Sequence, residues 1–138
     1  MKLLSRIIFL VIITVLGLSS CGDEPDGKWE KMKWFNVNEL KSDQGAYLLY
    51  PDGGCVTFEC KNYSQPWIAE IIIDGVPQYF DHEDSRFFDG NWFEVKFDGN
   101  KLIIIFEPLP ESLESRSFDL QVTAGDIFHG FSFRQKRE

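Results

Sequence analysis

The sequence predicts an all-β fold, two antiparallel sheets packed face to face as a sandwich. Three observations carry this. Short apolar runs from about Trp34 onward alternate with a period of two. Turn signals separate them every eight to twelve residues or so. No stretch after Cys21 sustains helical periodicity beyond two turns. Burial on a single face suits antiparallel sheets, since strands of parallel sheets are apolar on both faces.

The elements follow in order. Glu39 to Asp43 reads as one isolated helical turn, and Ala46 to Tyr50 as a strand stopped by Pro51-Asp52-Gly53-Gly54. In Cys55 to Lys61, Val56, Phe58 and Cys60 share one face. Trp67 to Ile73 places Trp67, Ala69, Ile71 and Ile73 together, which makes Trp67 a core residue, before Asp74-Gly75 turns the chain. Gln78 to Phe80 reads as a short edge strand, because Pro77 has no amide to give to a ladder. In Trp92 to Phe97, Phe93, Val95 and Phe97 alternate with Trp92, Glu94 and Lys96. Asp98-Gly99-Asn100 is a hairpin signal into Leu102 to Phe106, whose unbroken apolar run suits a central strand. Arg116 to Thr123 turns Phe118, Leu120 and Val122 inward, and Gly125-Asp126 closes a last hairpin into Ile127 to Gln135. About seven strands over about 100 residues fit an immunoglobulin-like sandwich.

The chain begins with a different kind of segment. Lys2 and Arg6 precede the apolar run from Ile7 to Leu18. That run is too short to span a bilayer, which takes roughly 20 apolar residues, and has the layout of a secretory signal. Leu18-Ser19-Ser20-Cys21 resembles a lipobox, in which an apolar residue and two small ones precede a cysteine. The resemblance implies cleavage after Ser20 and acylation of the Cys21 thiol, with two or three acyl chains giving stable membrane anchoring. Residues 1–20 are then a lipoprotein signal peptide, 21–33 the lipidated cysteine and a flexible tether, and 34–138 the sandwich domain. Gly22 to Gly27 is also similar to the acidic export signals that bacteroidete lipoproteins carry after the lipidated cysteine. This implies an outer-membrane protein displayed on the cell surface, with the periplasmic face as the alternative.

Charge excludes one class of partner. The whole chain carries −8, and loss of Lys2 and Arg6 leaves −10 on the remainder. Nucleic-acid binding rests on neutralising phosphates with Lys and Arg, so no nucleic-acid partner is expected. Nor is an enzyme: the sequence contains no G-x-S-x-G, H-E-x-x-H or phosphate-cradling glycine loop. Asp81-His82-Glu83-Asp84 reads as a solvated acidic loop, because four adjacent residues cannot all turn to one cation, and no cofactor or metal is expected. His129 lies on the inward parity with Phe131 and Phe133, unless a bulge at Gly130 brings Phe128 in instead. Cys55 and Cys60 point to opposite faces about 16 Å apart along one strand, so a disulfide between them needs a turn that breaks the strand; Cys60 reads as buried and Cys55 as the more exposed.

Gly53-Gly54, Val56 to Cys60, Trp67-Ile68, Trp92, Gly99, Arg116 and Phe133-Arg134-Gln135 are ordered and spaced in a way that resembles a BACON domain (bacteroidete-associated, carbohydrate-binding, often N-terminal). The resemblance covers roughly residues 40–136. It implies a small non-catalytic sandwich module of the cell envelope, with a glycan as ligand. The alternative is a protein-interaction or structural accessory subunit of an outer-membrane surface complex. From the residues themselves, Trp92 falls on the polar face of its strand, near Tyr79 and Phe80 in the long connection. These three rings are the candidate platform, because the C–H groups of a sugar stack on a negative aromatic face. The competing reading buries them as a second aromatic cluster.

The lipid assignment has a direct test. Cys21→Ala should leave an unprocessed precursor that incorporates no radiolabelled palmitate. Palmitate entering that variant would overturn the assignment.

Overall fold

The computed structural model describes residues 29–137. Its strands are β1 (Trp34–Asn36), β2 (Ser42–Asp43), β3 (Ala46–Leu49), β4 (Gly54–Cys60), β5 (Trp67–Ile73), β6 (Val76–Pro77), β7 (Phe87–Asp89), β8 (Phe93–Asp98), β9 (Lys101–Phe106), β10 (Ser115–Thr123) and β11 (Phe128–Lys136). The first sheet has the order β1-β4-β9-β8-β7 and the second β2-β3-β11-β10-β5-β6. Every ladder is antiparallel except that of β3 with β11, where Tyr47 lies beside Phe133. Within this frame β1-β4-β9-β8 has the A-B-E-D order of an immunoglobulin sandwich, and β11-β10-β5 its G-F-C order.

The seven long strands are those expected. The four additions, β1, β2, β6 and β7, are two or three residues long and form the edges of both sheets. So short a segment cannot display a period of two; it becomes a strand because a neighbour offers it a ladder. Two expectations fail for local reasons. The edge strand is Val76–Pro77, not Gln78 to Phe80: Pro77 pairs with Ile72, Gln78 gives its amide to the Ile71 carbonyl, and the chain then leaves the sheet. Glu39 to Asp43 forms no helical turn. The Asn36 side chain bonds both the amide and the carbonyl of Leu40 at 3.0 Å, which holds that segment open and seats Leu40 in the core.

Aromatic rings join the sheets. Phe93 of the first sheet stacks on Phe118 of the second at 3.8 Å and 6°. Phe118 continues onto Phe133 at 5.0 Å, and Phe58 meets Phe131 and Phe133 edge-on. Val56, Val95, Leu102, Ile104, Leu120 and Val122 fill the rest of the layer. The turns obey the same demand for close approach. At Gly53, with φ of +82°, a Cβ would come within 2.8 Å of the Pro108 nitrogen, so only glycine fits.

One irregularity decides what the second sheet shows to solvent. Along β10, Gln121 pairs with Glu70 but Val122 pairs with Ile68, which leaves Ala69 as the extra residue of a β-bulge. The bulge inverts the parity of β5 on its two sides. Ile71 and Ile68 are both buried, and Trp67, expected in the core, lands on the outer face with 37% of its surface exposed.

The folded unit also reaches back before Trp34, into the segment expected as tether. Met32 is buried in the core. Asn62 accepts from the Lys33 amide at 2.9 Å and donates to the Lys31 carbonyl at 2.7 Å, while the Tyr63 hydroxyl donates to the Glu30 carbonyl.

At the opposite end a polar clamp closes the sandwich. The side chain of Gln135 is fully buried. Its Nε2 donates to the carbonyls of Tyr50 and Glu107 at 2.9 and 2.8 Å, and its Oε1 accepts from Arg116 Nε at 2.7 Å. Arg116 Nη2 donates in turn to the Glu107 and Pro108 carbonyls. Gln135→Leu keeps the volume but leaves the Arg116 Nε–H without its partner, while the Tyr50 and Glu107 carbonyls each lose one of two bonds and keep the Gly53 amide and Arg116 Nη2. An unsatisfied buried polar group costs about 1–3 kcal/mol, so urea titration should show a loss of roughly that size with an unchanged slope.

Candidate functional site

The three expected site rings do not form one platform. Trp92 precedes β8 rather than belonging to it: its amide bonds back to the Gly90 carbonyl at 3.0 Å, and Asn91 before it has a left-handed φ of 72°. Strand parity therefore does not govern its direction. The indole is half-buried, with Phe93 and Phe118 edge-on at 4.7 and 5.5 Å and the Arg116 guanidinium 4.2 Å from the ring centre. Burial lowers the Arg116 pKa while the Glu107 carboxylate acts to raise it, and the guanidinium stays charged over the ring. Phe80 is half-buried and reaches Trp92 only through Phe88 and Phe93. Tyr79 stands apart, 89% exposed, its ring 6.4 Å from His82. A hollow of about 310 Å³ remains beside Trp92, walled by the acids Asp89, Glu94 and Glu107.

The better-formed surface is one that the sequence pattern hid. On the outer face of the second sheet three rows of side chains cross β5, β10 and β11. Trp67, Thr123 and Phe128 form the first, Glu70, Gln121 and Gly130 the second, and Ile72, Asp119 and Ser132 the third. The last two rows line an open hollow of about 310 Å³. Trp67 and Phe128, the latter 53% exposed, stand at one end of it. Thr123 keeps Phe128 there: its hydroxyl lies 2.8 Å from the carbonyls of both Gly125 and Ile127, which folds the hairpin loop tightly beneath it. Two carboxylates, an amide and a hydroxyl thus adjoin two exposed aromatic rings. Only one signal in the sequence pointed this way. Ile68 and Ile72 make the opposite parity of β5 nearly as apolar as the one read as inward.

The remaining candidates have structural settings. Asp81 caps a 3-10 turn, His82–Asp84, by accepting from the Glu83 amide at 2.9 Å, and the turn is exposed. No group of three or more metal-ligating side chains occurs among the described residues. Cys60 is buried, Cys55 is exposed, and both are free thiols. Gly130 makes no bulge in β11, so His129 keeps its inward side, edge-on to Phe131 at 4.7 Å and 6.1 Å from Trp34, while Phe128 points out. Ser20 and Cys21 lie outside the described residues. Among those described, no helix is long and apolar enough to cross a membrane.

No protein-family model matches the chain, and no curated protein matches it. A protein from Bacteroides thetaiotaomicron, its structure solved by NMR, is similar over 85% of this chain and 96% of its own, with 33% identity and a TM-score of 0.69. The chain belongs to the family of that protein. Titin domain M7 is a remoter likeness, at 10% identity and a TM-score of 0.41 over 80% of this chain and 99% of that domain. The cysteine proteinase gingipain R is another, at 11% identity and a TM-score of 0.40 over 78% of this chain and 19% of that one. None of these comparisons identifies a catalytic family.

The setting of His129 makes stability depend on pH. Burial pushes its imidazole below the ordinary value of 6.5. Above that value folded and unfolded chains both hold it neutral. Below it the unfolded chain takes up a proton that the folded chain resists, so stability falls with pH. The melting temperature should drop between pH 7 and pH 5.5, and His129→Phe should flatten that drop. An equal drop in the variant would place its origin elsewhere.

Proposed function

We propose that this chain is a non-catalytic, lipid-anchored module of the bacterial outer membrane, displayed on the cell surface, that binds a glycan on the outer face of its second sheet. The anchor reading rests on Leu18-Ser19-Ser20-Cys21. The glycan reading draws support from the BACON-like spacing of residues. The single observation that carries it is Trp67, turned out of the core by the Ala69 bulge onto a face that holds Glu70, Gln121 and Asp119. A sugar ring presents C–H groups to an indole face and hydroxyls to neighbouring carboxylates and amides, so this face offers both halves of the recognition.

Trp92 has the weaker claim, because Arg116 occupies its ring. Four of the residues that carry the resemblance, Gly53, Trp92, Arg116 and Gln135, gather at the clamp and serve to close the sandwich. A second reading, an accessory subunit docked to another protein, is favoured by the exposure of Val76, Tyr79 and Phe87 along the edges that β6 and β7 form.

Titration of the full chain in detergent with neutral oligosaccharides should quench tryptophan fluorescence. Trp67→Ala should abolish the response and Trp92→Phe should retain most of it. Well-folded protein that responds to no saccharide would overturn the glycan reading, and a stoichiometric partner recovered from solubilised membranes would favour the second.

A further inference from the structure

Among the described residues the glycines are accounted for, with one exception. Gly45, Gly75, Gly99 and Gly125 have φ between +58° and +94°, where side chains are strained. Gly53 combines such a φ with a backbone approach, and a Cβ on Gly90 would enter the Phe93 ring at 2.5 Å. Gly54, at the start of β4, has φ of +154°. Gly130 has neither reason. Its φ is not positive, and a Cβ built on it meets nothing within 4 Å. It sits inside β11, opposite Gln121, where a β-branched side chain would strengthen the strand and glycine weakens it.

What the missing side chain does create is the floor of the hollow on the outer face. Phe128 and Ser132 flank the notch along β11, Gln121 stands across from it, and Glu70 and Asp119 complete the rim. We infer that the Gly130 notch is the seat of one uncharged pyranose ring, lying on the bare strand with its hydroxyls toward Gln121, Glu70, Asp119 and Ser132. The inference rests on the glycan reading above and adds the ligand's chemical class. Among the described residues no cation lines the hollow. Arg134 is the next outward residue beyond Ser132, which leaves the two carboxylates to set the sign of the seat itself. Carboxylates accept from sugar hydroxyls and repel uronates and sulfates, so neutral hexoses and N-acetylhexosamines fit where acidic glycans do not.

The decisive variant is Gly130→Val in the full chain, measured by thermal melting and by titration with neutral hexose and N-acetylhexosamine oligosaccharides, with polygalacturonate as the anionic comparison. A raised or unchanged melting temperature together with at least a tenfold loss of saccharide affinity is expected. Gly130→Ala, the smaller change, should keep the fold and lose part of the affinity, and it decides the matter if the valine variant misfolds. Glu70→Gln with Asp119→Asn should narrow the preference for neutral over anionic glycans. Wild-type affinity in both Gly130 variants, equal binding of polygalacturonate by the unaltered chain, or an oligolysine peptide taking the notch in place of sugar would overturn the inference. Failure of the unaltered chain to bind any saccharide would instead defeat the glycan reading itself.

Discussion

The buried amide of Gln135 sets the terms for one end of this molecule. An amide removed from water must find partners inside the protein or destabilise the fold. Gln135 satisfies both its N–H groups and its carbonyl oxygen at once, on Tyr50, Glu107 and Arg116. Those partners come from the link between β3 and β4, from the link between β9 and β10, and from β10 itself, so one side chain fixes where the chain passes between sheets. Gly53 must be bare because the Pro108 backbone is held against it. Trp92 is pinned because the guanidinium that bonds Gln135 also lies over its ring. The clamp and the Phe93–Phe118–Phe133 stack together leave the sheets little freedom to slide.

With the interior so constrained, variation in what faces solvent comes from the strands' own irregularities. The bulge at Ala69 takes an indole from the core to the surface without disturbing Ile71, since parity is inverted only between the two. Loss of the side chain at Gly130 opens space on the same face. Neither feature helps packing. Both lie within three adjacent rows of one sheet, and that convergence distinguishes this surface from the scattered exposed rings elsewhere.

Membership in a family with the Bacteroides protein fixes the relationship and leaves chemistry to be argued from the site. Four of the residues behind the BACON-like resemblance, Gly53, Trp92, Arg116 and Gln135, build the closure of the sandwich, so their spacing speaks about architecture. Ligand chemistry has to be read from Trp67, Glu70, Asp119 and Gln121.

The sequence by itself determined the all-β class, the seven long strands, the tight hairpin at Gly99 and the inward faces of β4, β8 and β10. Each of these is local: a period of two, a turn residue, a run of apolar side chains. The tertiary structure alone decided the edge strands, the parallel pairing of β3, the clamp and the outward turn of Trp67. Two residues cannot announce a strand before a neighbour supplies its ladder. A bulge depends on the register of the partner strand, here Val122 against Ile68, and no pattern within β5 records it. Alternation assigns Trp92 to the polar face of a pleat, whereas its amide closes a turn and Arg116, distant in sequence, lies over the ring. Side-chain direction follows from pairing and packing across the whole chain, and periodicity reports it only where the pleat is unbroken.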